Sequence, residues 1–216
     1  MNKDILSTTT RPFLLVFSFF LWIQNVQALP TVGTLTAAGG AFNFDLYNGD
    51  GPPLLVQSTN GGVSWAIVTI PNLPGSIFPD YGFFHTTSCN GSFCLAAGET
   101  DNDLTDGGVG TAIPLLVSTK NSGNTWEVVL DLPLQPNGTF EASSCAMNGI
   151  NASTSTCVIV GYGTAGTGDF PADPPIPQLV ISQNSGASWT VPTISGLPLS
   201  GDFHAVSCDR VEQRPS

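Results

Sequence analysis

Basic residues are scarce in this chain. Only five of its 216 residues are Lys or Arg, against sixteen Asp and Glu, and the formal net charge is −11. A surface of this sign repels phosphate groups, which disfavours nucleic acid and anionic membranes as partners. Convincing helical periodicity is also missing beyond the N-terminal segment, so an α-helical domain is not expected.

Long apolar runs are equally rare. A single eleven-residue run, Phe13 to Ile23, follows two basic residues and precedes a small-residue cleavage site that ends at Ala28. The run has the length of a signal-peptide core and is too short to span a bilayer, although a signal anchor remains the alternative. We therefore predict a signal peptide over residues 1–28, a secreted or periplasmic protein, and no membrane association after cleavage.

The chain beyond the predicted cleavage site is acidic and long enough for one domain. It has 188 residues, with three basic residues against fifteen carboxylates, which gives a formal charge of −12. This length supports one domain with a sizeable core. The acidity favours solubility of an exported protein and otherwise says little about the ligand.

One short phrase recurs three times in the exported part. It has a hydroxyl residue, then Asn, Gly, a second hydroxyl residue and Trp, and its tryptophans lie 61 and 63 positions apart. The copies run from Ser58 to Trp65, from Thr119 to Trp126 and from Ser182 to Trp189. Self-similarity at such a period indicates a repeat protein.

Each repeat contains four short β-rich runs separated by Gly, Pro, Asn and Ser, which predicts a four-stranded antiparallel meander. The chain begins at the second strand of a unit and ends, at Phe203 to Cys208, after a first strand. We assign the repeat domain to residues 29–208, with repeats at about 34–89, 94–145 and 157–208, followed by an irregular tail at 209–216.

The recurring phrase contains the chemistry of a hairpin turn. Asn can accept a hydrogen bond from a following backbone N–H, Gly supplies a positive φ, and Trp can fold under the hairpin as an apolar plug. The phrase resembles the Asp-box, or BNR repeat, of the sialidase-like propeller superfamily, with Asn where Asp is usual. The predicted structural residues are Asn60, Gly62, Trp65, Asn121, Gly123, Trp126, Asn184, Gly186 and Trp189.

The resemblance implies an all-β, β-propeller-like fold of three four-stranded antiparallel units, a partial or half propeller. In that family the box is structural and lies on the face opposite the active site, so the three tryptophans are expected in the core. Propellers usually have four to eight blades. Three units are therefore either half of a six-bladed ring made by a homodimer or a remnant of a longer gene.

Five cysteines leave one without a partner. Cys89 and Cys94, and likewise Cys145 and Cys157, flank the turn between the first two strands of a unit, which predicts two disulfides in an oxidising compartment. A Cys/His metal site is the alternative. Cys208 is free, joined to another chain, or orphaned by truncation, because Leu35 occupies its repeat-equivalent partner position.

The residues do not support sialidase chemistry. Sialidases bind the carboxylate of their sugar substrate with three arginines. The exported chain has only Arg210 and Arg214, and both lie in the tail. We therefore predict an exported, non-catalytic module that binds a glycan or a protein through its loops. The alternative is a glycoside hydrolase-like enzyme, or a fragment of one, in which loop carboxylates act as a pair.

Two sets of side chains are candidates for ligand binding. The acidic loop at Asp101, Asp103 and Asp106 resembles a calcium loop at its start but lacks the Gly and the final acidic residue, so calcium is the one cofactor considered and no metal site is assigned. Three residues follow Phe at matching positions of successive units and could converge near a common axis: His85, Glu141 and His204.

Overall fold

The computed structural model describes residues 34–40, 52–73, 82–101, 112–148, 154–164 and 174–209. These residues form ten β-strands and no helix, so the all-β prediction is confirmed. The predicted signal peptide, most of the acidic loop and Arg210 and Arg214 lie outside this part of the chain.

The strands form three antiparallel sheets, each a meander in sequence order. In chain order, the strands are β1 (Leu35–Gly40), β2 (Pro53–Ser58), β3 (Ala66–Ile67), β4 (Gly82–Asn90), β5 (Phe93–Asp101), β6 (Ala112–Thr119), β7 (Glu127–Val128), β8 (Asn137–Met147), β9 (Ser155–Thr164) and β10 (Ile176–Ser182). The first unit is β1-β2-β3, the second β4-β5-β6-β7 and the third β8-β9-β10.

Only the second unit has all four predicted strands among the described residues. The described part of the first unit has three strands, and β1 matches β5, the second strand of the second unit. In the third unit, an isolated bridge between Ile181 and Thr190 replaces the fourth strand. No sheet of the described residues closes on itself, so the structure establishes three small sheets and not a complete propeller.

The apolar core consists of two layers, each between neighbouring units. Between the first and second units, Leu55 of β2 packs with Leu115, Val117 and Trp126. Between the second and third units, β5 and β6 supply Phe93, Leu95, Ala97 and Leu116, which pack against Phe140, Cys157, Ile159 and Val180. Alternate residues of each strand face opposite layers because side chains alternate along a strand, so the middle sheet is covered on both faces.

The three recurring phrases form the same hydrogen-bonded turn. In the first copy, the Ser58 hydroxyl accepts the Gly62 N–H at 2.8 Å, and Asn60 Oδ1 accepts the Ser64 N–H at 2.9 Å. The two other copies repeat both bonds at 2.9–3.0 Å. The Gly of each phrase has a φ of +88°, +84° or +72°, a region that disfavours any residue with a Cβ. The predicted turn chemistry is thus present in every copy.

The three tryptophans of these turns differ in burial, which corrects the expectation that all are core residues. Trp126 is 3% exposed and donates from Nε1 to Gln57 Oε1 of the preceding unit at 3.2 Å. Trp189 is half-buried against the second core layer, and its Nε1 has no partner in the described structure. Trp65 is 48% exposed, because no unit of the described chain precedes it.

The two predicted disulfides are present. Cys89 pairs with Cys94 and Cys145 with Cys157, across directly opposite positions of neighbouring strands, with Cα–Cα distances of 4.0 and 4.1 Å. Cys208 is a free, half-buried thiol. Disulfides are typical of oxidising compartments, which is compatible with an extracellular protein.

Residues 201–209 lie beside β8 in the way that β8 lies beside β4. The Cys208 N–H donates to Ser144 Oγ at 2.9 Å, and at the equivalent position the Cys145 N–H donates to Ser88 Oγ at 3.0 Å. The segment has no regular strand assignment. It nevertheless occupies the position of the predicted first strand.

Within the described ranges, no helix is both long and apolar enough to cross a membrane.

Candidate binding site

The two ends of the strands carry different groups. Cys94 lies opposite Thr119 and Cys157 opposite Ser182, so the disulfides and the recurring turns share one end of the second and third sheets. Glu99 lies opposite Pro114 at the other end, where β5 leads into the acidic loop. The recurring turn chemistry is therefore structural and remote from the end at which the ionisable side chains collect.

A β-bulge places a polar residue at this second end in two of the units. The register of β4 on β5 shifts between Phe84 and Thr86, and that of β8 on β9 shifts between Phe140 and Ala142. His85 and Glu141 are the extra residues. Bulges often re-aim a side chain next to a functional site.

Glycines opposite the bulges permit a close approach of the two strands. An added Cβ at Gly98 would lie 1.9 Å from the Phe83 carbonyl oxygen, and one at Gly161 would lie 2.0 Å from the Thr139 carbonyl oxygen. Any side chain there would push the strands apart, so both units need Gly at this position.

The residues that follow these glycines also belong to the candidate site. Glu99 follows Gly98 and Tyr162 follows Gly161, at equivalent positions of the second and third units. Both are half-buried. Together with His85, Glu141 and Asp202 they form what we call the bulge cluster.

His85 is paired with Glu99 within this cluster. Its Nε2 lies 3.9 Å from Glu99 Oε1, which is an ion-pair distance and longer than a direct hydrogen bond. The polar interaction of the ring with the Glu99 carboxylate raises the pKa of His85 above its ordinary value. Partial burial acts in the opposite direction, and the charges of Glu99 and Glu141 add to the increase.

Carboxylates from three elements, namely β5, β8 and residues 201–209, act electrostatically on the phenol of Tyr162. Burial raises the pKa of its phenol, and the charges of Glu99, Glu141 and Asp202 raise it further. The three carboxylates thus share an electrostatic influence on this phenol. The raised pKa keeps the phenol protonated and disfavours the phenolate that nucleophilic catalysis by tyrosine would need.

His204 lies at the rim of the cluster. Its Nε2 is 2.9 Å from Asp202 Oδ2, and 70% of its side chain is exposed. Its predicted equivalents His85 and Glu141 are coupled electrostatically, but the three side chains do not meet as ligands. In the described residues, no three His, Cys, Asp or Glu side chains are placed to hold a metal ion.

The acidic-loop candidates are only partly covered by the structure. Asp101 is the last residue of β5, where its backbone pairs with Ala112, and its side chain lies outside the described part. Asp103 and Asp106 fall wholly outside the described residues. The loop leaves β5 at the end that carries the bulge cluster.

Sequence reasoning missed Glu99, Tyr162 and Asp202 as site residues. The first two could have been found from the shared Gly that precedes them. Asp202 could have been found from Gly201, which matches Gly82 and Gly138 in position and in positive φ. Three-dimensional proximity was needed to connect them, because they come from three separate parts of the chain.

Positive charge is scarce around the cluster. Lys120 is the one Lys or Arg among the described residues, and it lies in a recurring turn at the opposite end of the sheet. A ligand at the bulge cluster thus meets carboxylates, an imidazole and a phenol. Such groups accept hydrogen bonds from hydroxyls and attract cations.

A cavity of about 230 Å³ lies between β6 and residues 128–136. Its described lining is mainly apolar, and Asp131 is the one ionisable residue there. It lacks the convergent polar groups expected of a specific ligand site.

Comparison with known proteins adds no relative: no family model matches the chain, and neither a curated protein nor a solved structure is significantly similar to it.

Proposed function

We propose that this chain is an exported, non-catalytic β-propeller-like repeat module that binds a glycan or a protein segment at the bulge cluster and its adjoining loops. The observation that carries the proposal is the pair of bulges that places His85 and Glu141 at the same end of neighbouring units, with Glu99 Oε1 3.9 Å from the His85 ring nitrogen. The Asp-box resemblance of the recurring turns supports the propeller part of the proposal.

The charges of the cluster define the kind of ligand. Glu99, Glu141 and Asp202 would repel carboxylated or phosphorylated ligands and attract hydroxyl-rich or cationic ones. The ring of Tyr162 offers an apolar face beside these acceptors, a combination that suits sugar rings and Lys- or Arg-bearing loops. Sialylated glycans are therefore the least suitable ligands.

The test is a glycan array and a pull-down with the purified chain, followed by calorimetry on whichever ligand binds. We expect neutral or amino-sugar glycans, or a basic protein, to bind and sialylated glycans to be rejected. Glu99→Gln and Glu141→Gln should each weaken binding about tenfold or more, because each removes a charged acceptor. Silence in both screens would contradict the proposal.

Glu127→Gln is the matched control. It makes the same chemical change on β7, at an exposed position outside the cluster. Its affinity should equal that of the unmodified chain. Equal losses in all three variants would mean that net charge, and not this site, attracts the ligand.

A glycoside hydrolase is the second candidate, favoured by the same group of carboxylates. Retaining and inverting enzymes need two carboxyl groups on either side of the scissile bond. Chromogenic glycosides test this directly. Turnover that disappears in both Glu99→Gln and Glu141→Gln would establish it, whereas binding without turnover supports the non-catalytic module.

A further inference from the structure

One edge of β1 has no strand partner in the described structure. β5 pairs with β4 on one side and β6 on the other, and β9 pairs with β8 and β10. β1 occupies the same position in its unit but pairs only with β2. Its contact with β4 of the second unit runs through side chains, such as the hydroxyl pair of Thr36 and Thr87. An open strand edge presents free backbone N–H and C=O groups that another strand can satisfy.

Residues 201–209 also lack a strand partner among the described residues, which makes them complementary to the open edge of β1. They take the position of a first strand, with Gly201, Phe203 and Cys208 matching Gly138, Phe140 and Cys145 in the third unit. No strand of the described chain forms a ladder with them, and their backbone bonds run from the Phe203 N–H to Gly161 O of β9 at 3.4 Å and from the Gly201 N–H to Pro175 O at 2.8 Å. Phe203 is consequently half-buried, whereas its equivalents Phe84 and Phe140 are each 1% exposed.

The outward side chains of the first unit are apolar and uncovered. Leu35 is 39% exposed and Trp65 48%, but the equivalent Cys94 and Trp126 of the second unit are 0% and 3% exposed. The second unit buries these positions against the first. The same face of the first unit is therefore built to contact another unit.

The third unit leaves the matching opposite face partly uncovered, although Val160 on that face is 2% exposed. Val158 and Leu179 are half-buried, whereas the equivalent residues of the second unit, Leu95 and Leu116, are 0% and 1% exposed. A unit with the same exposed face as the first unit, which carries Leu35 and Trp65, would cover them. The exposed face of the first unit and the partly exposed face of the third are thus complementary, as in a head-to-tail interface.

We propose that a second copy of this chain occupies these surfaces, with residues 201–209 of each copy adding to the free edge of β1 in the other. The register follows β4 on β5, which places Phe203 opposite Gly39 and Cys208 opposite Leu35 of the second copy. Two copies joined reciprocally give six units, within the usual propeller range.

The register makes a specific covalent test possible. Leu35 stands where Cys94 and Cys157 stand in the other units, and both of those cysteines form disulfides with the equivalents of Cys208. Leu35→Cys should therefore form an interchain disulfide with Cys208, so that the oxidised variant migrates as a covalent dimer until it is reduced. Cys208→Ser in the same chain should abolish that dimer.

Val63→Cys is the matched control for random thiol collisions. Val63 is 85% exposed in the first unit but lies outside the predicted register. It should give little covalent dimer under the same oxidation. Equal cross-linking of Val63→Cys and Leu35→Cys would overturn the proposal.

Sedimentation of the unmodified chain is the independent measurement, and it needs neither a ligand nor a folded cysteine variant. We expect a mass of two chains and about a tenfold or greater weakening of the dimer by Trp65→Lys, since a buried aromatic anchor is replaced by a charge. A monomer at all concentrations would overturn the proposal. A Leu35→Cys variant that oxidises to a monomer, with its new thiol joined to Cys208 of the same chain, would do so too.

Discussion

The indole Nε1 of Trp126 donates a 3.2 Å hydrogen bond to Oε1 of Gln57, 69 residues earlier in the chain. The bond joins the second unit to the first beside a core layer. A polar anchor within an apolar layer fixes the relative position of two sheets, because the buried indole N–H has an acceptor only in that arrangement.

Gln57→Leu should therefore destabilise the protein by about 1–3 kcal/mol, because the buried indole donor loses its acceptor. Trp126→Phe removes the donor, and in that background the Gln57→Leu change should cost less. Chemical denaturation of both single variants and the double variant measures the coupling. Additive losses would contradict a direct bond.

Asn121→Ala should destabilise the protein by roughly 1–2 kcal/mol, since Asn121 Oδ1 accepts both the Thr125 N–H and the Thr119 hydroxyl. Asn121→Asp keeps both acceptor functions, and the Thr125 hydroxyl can turn to donate to it. It should cost much less. Thermal melts of the two variants measure the difference. Equal losses of stability would show that the acceptor oxygen of Asn121 does not stabilise the turn.

Replacement of Cys145 and Cys157 by Ser should cost about 3 kcal/mol, and replacement of Cys89 and Cys94 about 2 kcal/mol, in the chain-entropy view. The difference arises because the bridges close sequence separations of 12 and 5 residues. Urea unfolding under oxidising conditions provides the comparison. A reversed order would mean that packing of the buried sulfurs outweighs loop closure.

Glu99→Gln should lower the pKa of His85, because the carboxylate is the largest cause of its increase. A raised pKa means that the interaction stabilises the fold fully below the ordinary value of about 6.5 and that this contribution is lost as pH rises through the raised value. NMR titration of the His85 ring measures the pKa. His85→Asn assigns the resonance, and an unchanged pKa in Glu99→Gln would refute the pairing.

Much of the fold could be predicted from local signals. The recurring turns were readable because Asn, Gly and hydroxyl residues form their bonds within seven consecutive residues, as between Ser58 and Ser64. The disulfides could be predicted because the two cysteines of each pair flank one turn. Neither prediction required knowledge of how the units pack.

The burial of the tryptophans could not be predicted in the same way. Trp65, Trp126 and Trp189 have nearly the same local sequence but different exposure, because the neighbouring unit decides what covers each indole. The residues of the candidate site were likewise only partly predictable from the sequence. His85 and Glu141 were identified by repeat position, while Glu99, Tyr162 and Asp202 joined them only through packing between units.

The amino-acid sequence by itself determined most of the strands, the turns and the two disulfides, since these depend on hydrogen bonds and side-chain alternation between residues close in the chain. Within the described residues, the tertiary structure decided which indoles are buried, which carboxylates act on Tyr162 and which strand edge has no partner. These properties depend on contacts between separate units, and similar local sequences acquire different surroundings according to their place in the array.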